Sequence, residues 1–456
     1  MITMKKYLFT IILSFSFNLL FGQIKNSDIK TICSSPPMGW NSWDCFGTTV
    51  TEDEVKANAD YMSKYLKDYG WKYIIVDIQW YEPNAKSHGY RKFAELDIDE
   101  FGRLIPAENR FPSAANGNGF KLLADYIHSL GLKFGIHIMR GIPRQAVKNN
   151  LKIKNSKFNA QDAADTTSIC PWNTDMYALK NNESGQAYYN SIIELYNYWG
   201  VDYIKADDMT AVSGKPADVS RMANIKMLSN AINNFERPIT LSLSPGPASV
   251  EQVELLQNSA QLWRISDDFW DKWTDILQMF DYMRTWQNYI GPNSWPDADM
   301  LPIGKIGIRA ERGQNRFTHF TKDEQITLIS LWSMFKSPLM FGGNLPDNDD
   351  WTLKLITNEE VLDVNQNSIN NKEIFNKNKI IVWTANPKNS YDVYFGIFNT
   401  GDADTVLSIA FEELKLDNAK FSLRDLWEKK DLGLITNSID CEIKLHGAKL
   451  FRLSRK

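Results

Sequence analysis

What most constrains the fold is an alternation repeated eight times along most of the chain, in which a short apolar run of strand length leads into a segment of helical periodicity. The runs are Pro36–Phe46, Trp71–Trp80, Lys133–Met139, Val201–Asp208, Ile239–Ser244, Leu262–Asp268, Ser294–Leu301 and Pro338–Leu345. WKYIIVDIQW and KFGIHIM are continuously apolar rather than alternating, which argues for strands covered on both faces, as in a parallel sheet. The intervening helices carry their own end signals. Thr51 with Glu54 and Thr321 with Glu324 read as capping boxes, and Gly70, Gly131 and Gly200 read as stops. Eight strands alternating with helices over about 310 residues fold most economically as a closed (β/α)8 TIM barrel.

From Glu373 onward the period becomes two. Lys379–Ala385, Asp392–Asn399, Thr405–Ala410, Cys441–Leu445 and Ala448–Leu453 alternate between Asn, Asp and Gly turns. The expected organisation is a catalytic α/β barrel over 23–367, followed by a small C-terminal antiparallel β-sandwich domain over 368–456 and packed with it.

Residues 1–22 belong to neither. Lys5 and Lys6 precede the apolar run Tyr7–Phe21, which ends at Gly22, the layout of a secretory signal peptide. A membrane span takes about 20 residues, more than this run offers. Cleavage near Gly22, export to a periplasm or medium, and no stable membrane insertion afterwards are the expectations. A net charge of -4, with no basic run among aromatics, argues against a nucleic-acid partner. Cys33, Cys45, Cys170 and Cys441 are too widely spaced for a zinc set, and the five histidines are scattered. Neither a metal site nor a cofactor is expected.

Barrels of this class keep their chemistry at the carboxyl ends of the strands. Those ends carry Trp40 and Trp43, Asp77, His137, Lys205 with Asp207, Ser244, Arg264 with Asp268, Asp297 with Asp299, and Asn344. So many charged groups are costly to desolvate unless something binds there. In VDYIKADD the two-residue repeat of a strand puts Lys205 and Asp207 on one side and Asp208 on the other, although a lone KxD is also the pattern of a surface salt bridge. Glycoside cleavage needs two carboxyl groups with opposite protonation demands: one ionised to attack the anomeric carbon, one protonated for the departing oxygen. Asp207, beside the Lys205 cation, suits the first role. Asp268, two strands on, suits the second, unless Asp267 and Asp268 merely cap the next helix. A retaining pair stands about 5–5.5 Å apart, and that separation is expected here.

Six stretches in order, PPMGWNSWDCF (36–46), VDIQW (76–80), IKADD (204–208), WRISDD (263–268), WPDADML (295–301) and SPLMFGG (337–343), resemble the family 27 glycoside hydrolases, the α-galactosidase (melibiase) family. The resemblance spans about residues 34–367. It implies a (β/α)8 barrel with a C-terminal antiparallel β domain, Asp207 as nucleophile and Asp268 as acid/base. It also implies that Trp43, Asp77, Lys205 and Arg264 hold the sugar. Three departures bear on substrate. The family's usual Asp-Asp pair is Asp77–Ile78 here, which removes an acceptor near the 4- and 6-hydroxyls of galactose and could favour β-L-arabinopyranose, a galactose-shaped sugar without the hydroxymethyl group. His137 replaces a common Tyr, either as donor to a substrate hydroxyl or as a hydrogen-bonded barrel histidine. Leu243, Ser244 and Pro245 replace Cys-Glu-Trp, and Ser244 leaves room for a larger 2-substituent. Cys170 matches a family cysteine whose disulfide partner is Met209 here, which implies a free thiol.

The reading is an exported retaining exo-glycosidase that releases a terminal α-D-galactosyl or closely similar residue from an oligosaccharide or polysaccharide. A β-L-arabinopyranosidase with the same catalytic residues is the alternative. A catalytically silent sugar-binding protein is a third reading, opposed by the presence of both Asp207 and Asp268.

Overall fold

The computed structural model describes residues 32–210 and 218–456, so the segment read as a signal peptide lies outside the described residues. Eight strands form one sheet: β1 (Met38–Asn41), β2 (Tyr73–Val76), β3 (Lys133–Met139), β4 (Tyr203–Asp207), β5 (Thr240–Leu243), β6 (Leu262–Arg264), β7 (Trp295–Asp297) and β8 (Leu339–Phe341). Their order is β7-β6-β5-β4-β3-β2-β1-β8, and every neighbouring pair is parallel. Leu301, just past β7, bridges Phe341 of β8 in the parallel sense, which closes the (β/α)8 barrel.

Both capping boxes are present. Thr51 and Glu54 open the helix Glu52–Tyr65, and Thr321 and Glu324 open Lys322–Phe335. The helix Glu183–Trp199 stops at Gly200, whose φ of 84° is cheap for glycine and delivers the chain into β4. Within the eight barrel strands, Lys133, Lys205 and Asp207 alone escape full burial. Two of those three are the polar residues at the end of β4.

Except for β3, the strands are shorter than the apolar runs that announce them. Asn41 ends β1 because its side-chain oxygen takes the Trp43 amide at 2.9 Å, turning Trp43–Phe46 into one helical turn rather than more strand. The run Leu262–Asp268 leaves the sheet after Arg264, and the Phe269 amide bonds to the Asp299 carboxylate at 2.9 Å. A small antiparallel sheet of Ile142–Pro143, Ala164–Ile169 and Met176–Leu179, not read from the sequence, lies in the connection between β3 and the helix Glu183–Trp199.

The C-terminal region is an antiparallel β-sandwich of a six-stranded and a two-stranded sheet. Val382, Phe395, Phe411, Phe421, Ile439 and Phe451 belong to its own core. Three of its strands, Ser368–Lys377, Phe421–Asp425 and Lys430–Ile435, are additional to those expected. The sandwich lies on the barrel helix Lys322–Phe335: Trp427 donates its indole N–H to Ser330 Oγ at 2.8 Å, and Thr327 donates to the His446 carbonyl at 2.6 Å. That contact explains why eleven of the fourteen residues of this helix, polar Ser330 and Ser333 included, are buried.

Candidate active site

The barrel mouth holds a cavity of about 360 Å³, within the ~300–1,000 Å³ of small-molecule sites. Trp43, Asp77, Ile78, Lys205, Asp207, Ser244, Arg264 and Asp268 all line it, from five of the barrel's strands and the segments that follow them. Three other expected strand-end residues, Trp40, Asp297 and Asn344, do not. Trp40 is fully buried with its indole N–H on the Gly343 carbonyl at 2.8 Å, and Asn344 is taken up by Asn58 and Asp347. His137 is also withdrawn from the wall. Its ring is completely buried, and Nε2 lies 3.1 Å from Asp207 Oδ2, so it orients a carboxylate rather than meeting a ligand.

The alternation along β4 has the expected consequence. Asp208 turns away from Lys205 and Asp207 and is gripped by Arg140 at 2.8 Å and Arg221 at 2.6 Å. Its backbone sits at φ 57°, a left-handed conformation that Asp tolerates better than most residues. In that conformation its amide donates to Asp207 Oδ1 at 2.9 Å. Asp207 therefore accepts at both oxygens, one from His137 and one from its own neighbour.

One electrostatic expectation needs correcting. Lys205 does not bond Asp207; its Nζ donates to Asp77 Oδ2 at 2.8 Å, where Asn41 also donates at 2.7 Å. Burial works to raise the Asp77 carboxyl, but Lys205 and His137 outweigh it and hold it at about 2. Burial likewise works to raise Asp207, and the His137 hydrogen bond, the His137 charge and Lys205 together bring it below the ordinary carboxylate value. The sign read from the sequence holds, but the first agent is His137. An ionised carboxylate only accepts, so His137 Nε2 carries the proton.

Arg264 spans the other side. It pairs with Asp299 at 2.8 Å and reaches Asp268 at 3.5 Å, and Asp268 also receives Arg312 at 3.3 Å. The Asp268 side chain is 37% exposed against 13% for Asp207, so Asp268 stands on the open side of the cavity. Arg312 and the neighbouring Glu311 come from the loop beyond β7, whose RAERGQ sequence has no periodic signal to mark it as part of a site. Tyr90 and Trp172 were also missed. Tyr90 stacks near-parallel on Trp43 at a ring separation of 6.0 Å, and Trp172 lies 5.4 Å beyond it.

Beneath the cavity, burial and Asp299 push the Asp297 carboxyl up to about 6 against the pull of Arg264. An unfolded Asp titrates near 3.9, so the stabilisation from its protonated form is complete below about pH 4 and is lost as pH rises through about 6. Asp297→Asn is expected to raise the unfolding temperature at pH 8, by a gain on the order of 2–3 kcal/mol, and to change little at pH 4. Thermal unfolding at the two pH values checks this, and equal shifts at both would contradict it.

All four cysteines are free thiols, and burial pushes Cys170 up to about 12.

A family model described as "Alpha galactosidase A" matches residues 35–183 and 180–367, and one described as "Alpha galactosidase C-terminal beta sandwich domain" matches 377–453. The chain belongs to glycoside hydrolase family 27. It is a glycoside hydrolase, and family 27 relatives cover nearly all of it. "Alpha-galactosidase 2" of Arabidopsis thaliana is 28% identical over 426 residues, 92% of this chain and 90% of that one. The solved GH27 β-L-arabinopyranosidase of Geobacillus stearothermophilus is 51% identical, with a TM-score of 0.90 over 93% of this chain and 97% of that one. α-Galactosidase I of Mortierella vinacea superposes with a TM-score of 0.71 at 22% identity, a likeness of fold. Among the described residues no helix is long and apolar enough to cross a membrane.

Proposed function

We propose that this family 27 chain is a retaining exo-glycosidase for a terminal sugar of galactose shape, and that the sugar fitting it best is β-L-arabinopyranose. The observation that carries this is the makeup of one cavity wall: Asp207 and Asp268 open on the same space, and the side chain after Asp77 is Ile78. A galactose hydroxymethyl group set against an isoleucine finds no acceptor, whereas a pyranose lacking that group loses nothing there. The 51% identical Geobacillus enzyme is described as a β-L-arabinopyranosidase, and a variant of it is solved in complex with arabinose. The second reading, an α-galactosidase, is favoured by the description of the plant relatives at 28% identity.

In this reading Asp207 attacks the anomeric carbon while Asp268 protonates the departing oxygen. A water then enters, gives its proton to Asp268, and releases the sugar from Asp207 with its configuration retained. His137 and the Asp208 amide fix the attacking carboxylate in one rotamer, and Trp43 with Asp77 and Lys205 position the ring.

The test is kcat/KM on p-nitrophenyl β-L-arabinopyranoside and p-nitrophenyl α-D-galactopyranoside, with the first-formed anomer followed by proton NMR. The arabinoside is expected to lead by tenfold or more; a lead for the galactoside selects the second reading, and an inverted first product removes the retaining mechanism. Ile78→Asp is expected to move the ratio toward the galactoside by roughly tenfold or more, since a hydroxyl regains an acceptor. An unchanged ratio in that variant would separate Ile78 from sugar choice.

A further inference from the structure

Beside Trp43 stands a second polar residue of the mouth, Asp44, on the helical turn that follows β1. It is 1% exposed yet lines the same cavity, and its Oδ2 has no hydrogen-bond partner. The structure is shaped around this carboxyl. Gly342, at the end of β8, sits where any Cβ would collide with Oδ2, so the glycine makes room for it. Yet no cation is committed to it: Lys205 spends its bond on Asp77, and Arg264 pairs with Asp299. A buried carboxyl left unpaired is costly, and such a group on the wall of a binding cavity is best explained by a partner that arrives with the ligand.

We infer that Asp44 is a sugar-binding residue whose carboxyl takes a ring hydroxyl of the terminal pyranose, giving back on the β1 side a polar contact that Ile78 withholds on the β2 side. This rests on the reading of the cavity as a terminal-sugar site. Burial, with Asp299 next, pushes the Asp44 carboxyl well above the ordinary range, against Lys205. A neutral carboxyl offers one O–H donor and one carbonyl acceptor, the complement of a hydroxyl that both accepts and donates. The turn geometry explains why Trp43 and Asp44 serve together. Asn41 anchors the Trp43 amide, so two consecutive side chains reach the mouth from one turn, the indole as a platform and the carboxyl as an anchor.

The experiment is calorimetric binding of L-arabinose and D-galactose to the parent, Asp44→Leu and Asp44→Asn, with turnover of both p-nitrophenyl glycosides and thermal unfolding measured on the same preparations. Asp44→Leu keeps the branched outline of the side chain with bulkier ends and removes the polar pair; it is expected to weaken sugar binding and raise KM by tenfold or more. Asp44→Asn keeps a donor and an acceptor and is expected to bind within about threefold of the parent. A leucine variant that binds within twofold of the parent overturns the assignment, as does an asparagine variant as weak as leucine. Should the leucine chain fail to fold, Asp44→Ala takes its place under the same criteria. A parent that binds these sugars but cleaves neither glycoside would sink the proposed function and leave Asp44 to be judged by binding; a parent that binds neither would overturn both.

Discussion

Asp207→Asn is expected to lower kcat on aryl glycosides by about 10,000-fold or more, the scale on which removal of an attacking group registers. An amide cannot form the glycosyl ester, so both displacement steps lose their route. The substitution is also less silent than its shape suggests. Asp207 accepts at Oδ2 from His137 and at Oδ1 from the Asp208 amide, whereas asparagine has one acceptor, so one of these donors loses its partner. A stability loss of about 1–3 kcal/mol should accompany the loss of rate. Asp207→Gly separates the two effects. With the carboxylate gone and space in its place, azide can enter from the same face, and the product should be a glycosyl azide of configuration opposite to the substrate's. NMR of that product is the decisive measurement. Residual kcat above one per cent in both variants, with no azide adduct, would mean that another group attacks.

Much of the scaffold behind that prediction is legible in the sequence, because the signals that define it are redundant. β3 can be read to the residue, Lys133–Met139, since a continuous apolar run has one way to be buried on both faces. Thr51 with Glu54, Thr321 with Glu324 and the left-handed Gly200 mark helix ends through backbone chemistry that no distant contact overrides. Where the sequence misleads, tertiary contacts decide. Lys430–Ile435 is almost wholly exposed and has no alternating face, yet it pairs along Phe421–Asp425. Ser368–Lys377 is rich in Asn and Lys and carries no strand signal of its own, but it runs as an edge strand with two register shifts. In the site, the spacing of Lys205 and Asp207 says that they share a side, which they do. It cannot say that Asp77 from β2 lies nearer the ammonium, because that depends on how β2, β3 and β4 are staggered across the sheet. Asp44 is hidden for a related reason: a run read as strand gives it an arbitrary face, and the turn begun by Asn41 is what brings it to the mouth.

Asp268→Ala is expected to show an effect that depends on the leaving group, by contrast with the uniform loss at Asp207. Asp268 is proposed to supply the proton to the departing oxygen, and general acid catalysis of this kind contributes roughly 100- to 10,000-fold. A sugar or alkyl leaving group needs that proton and should lose rate across this range. A dinitrophenyl group leaves as a stable anion and should lose little in the first step. With deglycosylation now lacking its base, the ester on Asp207 should accumulate, so KM for the dinitrophenyl substrate should fall along with kcat, and a pre-steady-state burst should appear. The position of Asp268 suits this double duty. It stands on the solvent side of the cavity, where leaving group and water both pass, with Arg264 at 3.5 Å from one oxygen and Arg312 at 3.3 Å from the other. The plot of log kcat/KM against leaving-group pKa is the check: the alanine variant should be much steeper than the parent. Parallel lines would show that Asp268 carries no proton to the leaving oxygen and would leave it with its ion pairs to Arg264 and Arg312 alone.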